Sequence, residues 1–142
     1  MQSTFPVTTQ SVEATMDLGA EVADALSPGA VIALDGDLGA GKTHFVKGLA
    51  RGLGYAALEV RSPTFTIVQV HEGGTMPLYH FDAYRVGSPG EFVDLGFEEY
   101  VYGDGVTVVE WPRRVEDLLP EHTLWLRLEH VSESERRISR NH

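Results

Sequence analysis

The sequence predicts a small three-layer α/β fold, a mixed central sheet with helices on both faces. Three observations predict it. First, Val31-Ile-Ala-Leu-Asp35 is an apolar run with a β-branched start; Gly36-Asp-Leu-Gly-Ala-Gly-Lys-Thr43 is then a glycine-rich loop, and Phe45, Leu49 and Leu53 recur at helical spacing. Second, Val106-Thr-Val-Val-Glu110 is apolar on both faces, as a central strand must be. Third, segments of strand period and helix period alternate along the chain in the order β-α-β-α-β-β-α-α-β-α-β.

The elements follow in order. Phe5 to Thr8 suggests a short first strand. Residues 13–26 place Met16, Gly19, Ala20, Ala23 and Leu26 on one helical face, and Ser27-Pro-Gly29 stops that helix. The strand at Val31–Asp35, the glycine loop and a helix from Lys42 to about Leu53 come next, with Gly52 and Gly54 as the exit. A connector over 55–64 carries Ser62-Pro-Thr-Phe65. Residues 65–72 alternate as a strand, Gly73-Gly74 turns the chain, and residues 77–85 return as an antiparallel neighbour. Ser88-Pro-Gly-Glu91 reads as a capping box opening a short helix that stops near Gly96. A second short helix is expected over 98–102, then the central strand, then a helix over 113–119 between Pro112 and Pro120. Thr123 to Glu129 alternates as a half-exposed strand, and the polar tail from Ser132 to His142 reads as a frayed edge segment. Residues 1–142 thus form one domain, with 1–10 and 132–142 peripheral.

Composition narrows the function classes. With 42% hydrophobic and 23% charged residues the chain can bury one core. No apolar run approaches a membrane span, the first residues lack the pattern of a signal peptide, and there are no cysteines. A cytoplasmic location is the expectation. The net charge of −10 disfavours a direct grip on a phosphate backbone, so any nucleic acid in the process should be held by a partner.

The loop fits G-x-x-x-x-G-K-[ST] without a gap, which makes the expected fold P-loop NTPase-like. Asp37, Leu38, Gly39, Ala40 and Gly41 would present backbone N–H groups to a polyphosphate. Lys42 would reach the β- and γ-phosphates of ATP, and the Thr43 hydroxyl would ligate Mg²⁺. Hydrolysis or transfer also needs an acid at the end of a neighbouring strand. Glu110 and Asp82 both end apolar strands; the plain alternatives are a solvent-facing carboxylate or pairing with Arg113 for Glu110, and a salt bridge to Arg85 for Asp82. Thr64 could sense a γ-phosphate from its loop, or simply sit in a proline-containing turn. His80 alternates with Asp82; it reads first as a core or half-buried histidine and second as an acid–base group on the site face. Trp111 could stack on a base or close the pocket, or simply pack.

Taken in series, the loop, Ser62-Pro-Thr-Phe-Thr66, Tyr79-His-Phe-Asp-Ala-Tyr-Arg85, Leu95-Gly-Phe-Glu-Glu99 and Glu110-Trp111 resemble the TsaE (YjeE) family over roughly residues 13–137. The resemblance implies a bacterial P-loop ATPase that supports threonylcarbamoylation of adenosine in tRNA beside the anticodon. Its implied partners are TsaB- and TsaD-like proteins, with TsaD carrying out the transfer and tRNA met only through them. The implied roles are ATP binding and weak hydrolysis that resets that complex. By resemblance, Lys42 holds phosphate, Thr43 and Glu110 are the Mg²⁺ ligands, Asp82 lies near the metal and attacking water, Thr64 falls in a switch-like loop, and Trp111 adjoins the metal glutamate. His44 departs from the family pattern, which often has Thr or another small residue there. Two other functions fit a P-loop: a small-molecule kinase with Asp82 as base, and a nucleotide-gated binding module without meaningful hydrolysis.

Overall fold

The apolar runs assemble into one mixed sheet. The computed structural model describes residues 5–37, 39–56 and 67–140. The strands are β1 (Val7–Thr9), β2 (Val31–Asp35), β3 (Val68–His71), β4 (Leu78–Asp82), β5 (Val106–Glu110), β6 (Leu124–His130) and β7 (Arg136–Arg140). The helices are α1 (Val12–Asp24), α2 (Lys42–Gly52), α3 (Pro89–Asp94) and α4 (Phe97–Val101), and Pro112–Leu118 forms a 3-10 segment. The sheet order is β1-β7-β6-β2-β5-β4-β3. Strands β6, β2, β5 and β4 are parallel, while β3, β7 and β1 join antiparallel to their neighbours.

Each face has its own core. Ile32, Leu34, Val106, Val108 and Leu78 pack against Phe45, Val46 and Leu49 of α2 and Leu18 and Val22 of α1. On the other face, Val31, Phe81 and Val109 meet Phe92 of α3, Phe97 and Val101 of α4, and Val115 of the 3-10 segment. This is the expected three-layer α/β arrangement. The strand β5, apolar on both faces, lies between β2 and β4. Its five residues are all buried, which is why its sequence shows no alternation.

The structure corrects three local expectations. The tail is not a frayed edge: Arg136–Arg140 is β7, inserted between β1 and β6, and Ile138 is fully buried. At α3 the Ser88 side chain makes no cap hydrogen bond, and the Glu91 carboxylate accepts instead from the Gly87 N–H at 3.1 Å. The pattern of residue types is met, but the chain enters the helix so that the acceptor reaches one residue earlier. After β5, the segment between the prolines tightens into a 3-10 helix with a kink at Val115. The part of the expected strand at 65 and 66 lies outside the described residues.

Candidate phosphate and metal site

The register of the parallel strands builds the site. Leu34 is aligned with Glu110, and Glu110 with Asp82. Aligned residues project from the same face, so both carboxylates stand on the face covered by α1 and α2. They do so at the carboxyl ends of their strands, where β2 also runs out into the glycine loop. This is the end of an open α/β sheet at which ligands bind.

The loop turns into α2 at Gly41, whose φ of +94° lies in the left-handed region that a side chain would strain. The first bond of the helix, Phe45 N–H to the Gly41 carbonyl, is 3.0 Å. Lys42 and Thr43 therefore occupy the first turn of α2, at the positive end of its dipole. Lys42 is buried at 6% exposure, although it carries a charge. Its Nζ donates to the Gly36 carbonyl at 2.5 Å and stands 3.5 Å from the centre of the Trp111 ring. Burial pulls the Lys42 pKa below the ordinary lysine value, while the carboxylates of Glu110, Asp82, Asp35 and Asp37 act in the opposite direction.

Trp111 reaches Lys42 because its backbone is bent. At φ 56° and ψ 49° it sits in the left-handed region, an outlier for a bulky residue. Tyr84 packs on the same indole, with ring centroids 4.9 Å apart. Trp111 thus touches both the loop lysine and Tyr84.

Glu110 has a different partner from the one the sequence offered. Arg113 pairs with Asp35, Nε to Oδ2 at 3.0 Å, and so is not the partner of Glu110. Glu110 instead meets His80, Nε2 to Oε2 at 2.5 Å, with both side chains buried. His80 follows the first expectation, a core histidine, but it is also in contact with a site carboxylate. Asp82, at 1% exposure, accepts a hydrogen bond from the Tyr84 N–H at 2.8 Å. Leu38 and Thr64 lie outside the described residues.

The donor set suits Mg²⁺. Among the described residues no three His, Asp or Glu side chains group into a self-contained metal cage. Mg²⁺ does not require one: it keeps several waters and is held by one or two carboxylates together with substrate phosphates. The Thr43 hydroxyl at the start of α2 and the strand-end carboxylates of Glu110 and Asp82 supply hard oxygen donors of that kind.

Sequence reasoning missed the cavity beside the loop. About 320 Å³ opens next to Gly41 and His44, walled by Gln10, Ser11, Glu133 and Arg136. The Arg136 side chain runs along Gly41, with Cγ 3.6 Å from where a Cβ would stand. No local sequence signal marks this wall, because β7 carries a single apolar residue. A larger hollow of about 440 Å³ sits at the opposite end of the sheet, beside Gly29, Ala30 and Tyr102, with no carboxylate on its walls. Chemistry, not size, marks the site. Among the described residues no helix is long and apolar enough to cross a membrane.

The chain is similar to known proteins in sequence and in fold. A family model described as "Threonylcarbamoyl adenosine biosynthesis protein TsaE" matches residues 9–138. The tRNA threonylcarbamoyladenosine biosynthesis protein TsaE of Treponema pallidum (strain Nichols) is 45% identical over 130 residues, 92% of this chain and 95% of that protein. Its counterpart in Bacillus subtilis (strain 168) is 47% identical over 112 residues, 79% of this chain and 69% of that protein. The crystal structure of Bacillus subtilis YdiB superposes with a TM-score of 0.80 at 37% identity, over 99% of this chain and 86% of that one.

Proposed function

The chain belongs to the TsaE family of tRNA threonylcarbamoyladenosine biosynthesis proteins, and from that premise we propose that it is a slow ATPase that switches a partner complex. The partners on this reading are TsaB- and TsaD-like proteins. The observation that carries the proposal is Lys42, buried at the start of α2 and within electrostatic reach of two carboxylates from adjacent strand ends.

The residues would act as follows. The loop amides and the positive end of α2 receive the phosphates of ATP. Lys42 exchanges the Gly36 carbonyl for phosphate oxygens and stabilises charge on them. Thr43 and Glu110 would hold Mg²⁺, which when bound neutralises charge on the β- and γ-phosphates. Asp82 or Glu110 would orient the attacking water. The cavity beside Gly41 has room for the nucleoside. Arg136 lines that cavity, but its Nη1 is engaged by the carbonyls of Ser132, Glu133 and Glu135. Arg136 is thus held by backbone carbonyls rather than free to reach a transferring phosphate, and slow turnover alone is expected. The acidic chain leaves tRNA to the partners.

Two variants test the chemistry. Lys42→Ala should abolish nucleotide binding, whereas Glu110→Ala should retain binding and lose turnover. Product analysis should find phosphate released to water; phosphate on an acceptor would favour a kinase. Co-purification with the native partners, with and without ATP, tests the switch, and no association under either condition would overturn it.

A further inference from the structure

His80 is buried at 0% exposure, and its Nε2 meets Glu110 Oε2 at 2.5 Å. At that separation the two atoms share a direct hydrogen bond, so Nε2 is the ring atom that engages Glu110. On the other side of the ring, Nδ1 is buried and has no hydrogen-bond partner among the described residues. Such an orphan polar atom costs stability, and a leucine would fill the same place without one. Packing alone thus gives no reason for an imidazole here; the bond to Glu110 does.

The register shows how the bond is built. On β4, His80 is aligned with Val108 of β5, and Asp82 with Glu110. His80 therefore stands on the same face as Glu110, two residues deeper in the sheet. From there it ties down one carboxylate oxygen and leaves Oε1 as the oxygen it does not engage. Groups behind a metal-binding carboxylate fix its orientation in this way.

We propose that His80 is a positioning residue that orients Glu110 toward the nucleotide-bound divalent cation. This rests on reading Glu110 as a ligand of that cation. Because Nε2 is the engaged atom, the two amides offer a sharp contrast. In Gln the amide nitrogen falls near the place of Nε2; in Asn it falls near the place of Nδ1. Both are polar and of similar size, so a purely structural role would not separate them.

The test uses the full chain with ADP, and Mn²⁺ as the probe, with free Mn²⁺ followed by electron paramagnetic resonance. ADP affinity without metal is measured alongside by calorimetry, and folding by thermal unfolding. His80→Asn should weaken Mn²⁺ binding to the ADP complex by about 10–100-fold, while His80→Gln stays within about threefold of the parent. Metal-free ADP affinity should hardly change in either. Adding His80→Asn to Glu110→Gln should weaken Mn²⁺ no further. Equal Mn²⁺ affinity in the Asn and Gln variants, with Glu110→Gln impaired, would overturn the inference but leave the reading of Glu110 intact. Unchanged Mn²⁺ affinity in Glu110→Gln would overturn that reading, and the inference with it.

Discussion

Lys42 is buried beside carboxylates, and these two facts act on its proton in opposite directions. Burial is the larger effect and lowers the pKa. The unfolded chain therefore holds this proton to higher pH than the folded one. Between the lowered pKa and the ordinary lysine value the unfolded state binds more protons, so this group's contribution to stability rises with pH there. Below the lowered pKa the penalty of a buried charge is felt in full. A polyphosphate reverses the balance by favouring the charged form. Nucleotide affinity should accordingly fall as pH rises through the lowered pKa, and binding in that range should take up protons. Calorimetry above about pH 8, in two buffers of different ionisation enthalpy, reads this directly; His44, whose pKa is also lowered, by burial and then by Lys47 and Arg136, is neutral there. Identical heats in both buffers across the alkaline range would show Lys42 charged throughout. Lys42, Glu110 and Asp82 were legible as candidates because a short motif and strand-end acids announce themselves locally. The bond from His80 to Glu110 was not, because it depends on how two strands 30 residues apart align.

At the scale of elements, α2 is held where Lys42 and Thr43 must stand by its contact with α1. The two helices approach so closely at Gly48 that an added Cβ would overlap the Met16 carbonyl of α1. Gly48→Ala brings a helix-propensity gain of about 1 kcal/mol. Backbone on the far side cannot yield as a flexible side chain would, so the overpacking cost should sit at or above the upper end of about 1–3 kcal/mol and leave a net loss of about 2 kcal/mol. A lower urea midpoint with unchanged slope would show this; a higher midpoint would mean that the helices separate freely. Arg51 of α2 also meets Glu13 and Asp17 of α1 at 3.2 and 2.9 Å, but these are exposed pairs and add little. The helix α2 and the strands β2 and β5 were readable because each carries its own period or apolar run. β7, Arg-Arg-Ile-Ser-Arg, offers one apolar residue among charges. Its strand state comes from two neighbours in the sheet, and no local pattern reports that.

For the whole molecule, β7 decides whether the sheet is one body. Among the described residues β1 joins the sheet through β7, and β7 joins it through β6. Ile138 is aligned with Val7 on one side and Leu128 on the other, and it belongs to the same core as Phe45 and Leu49 of α2. The strand also brings Arg136 alongside Gly41 of the phosphate loop. A segment peripheral to the fold would tolerate substitution within about 0.5 kcal/mol. A buried isoleucine linking two strand pairs should not: Ile138→Ala is expected to lose about 2–5 kcal/mol. Removing residues 136–142 should do more, leaving β6 as a bare edge and β1 without its neighbour, so that cooperative unfolding is lost. Denaturant unfolding of both variants separates the two views. If Ile138→Ala unfolds at the parent midpoint, β7 is an appendage and the loop does not depend on it. If it falls as expected, the last strand is part of the frame that holds the phosphate site.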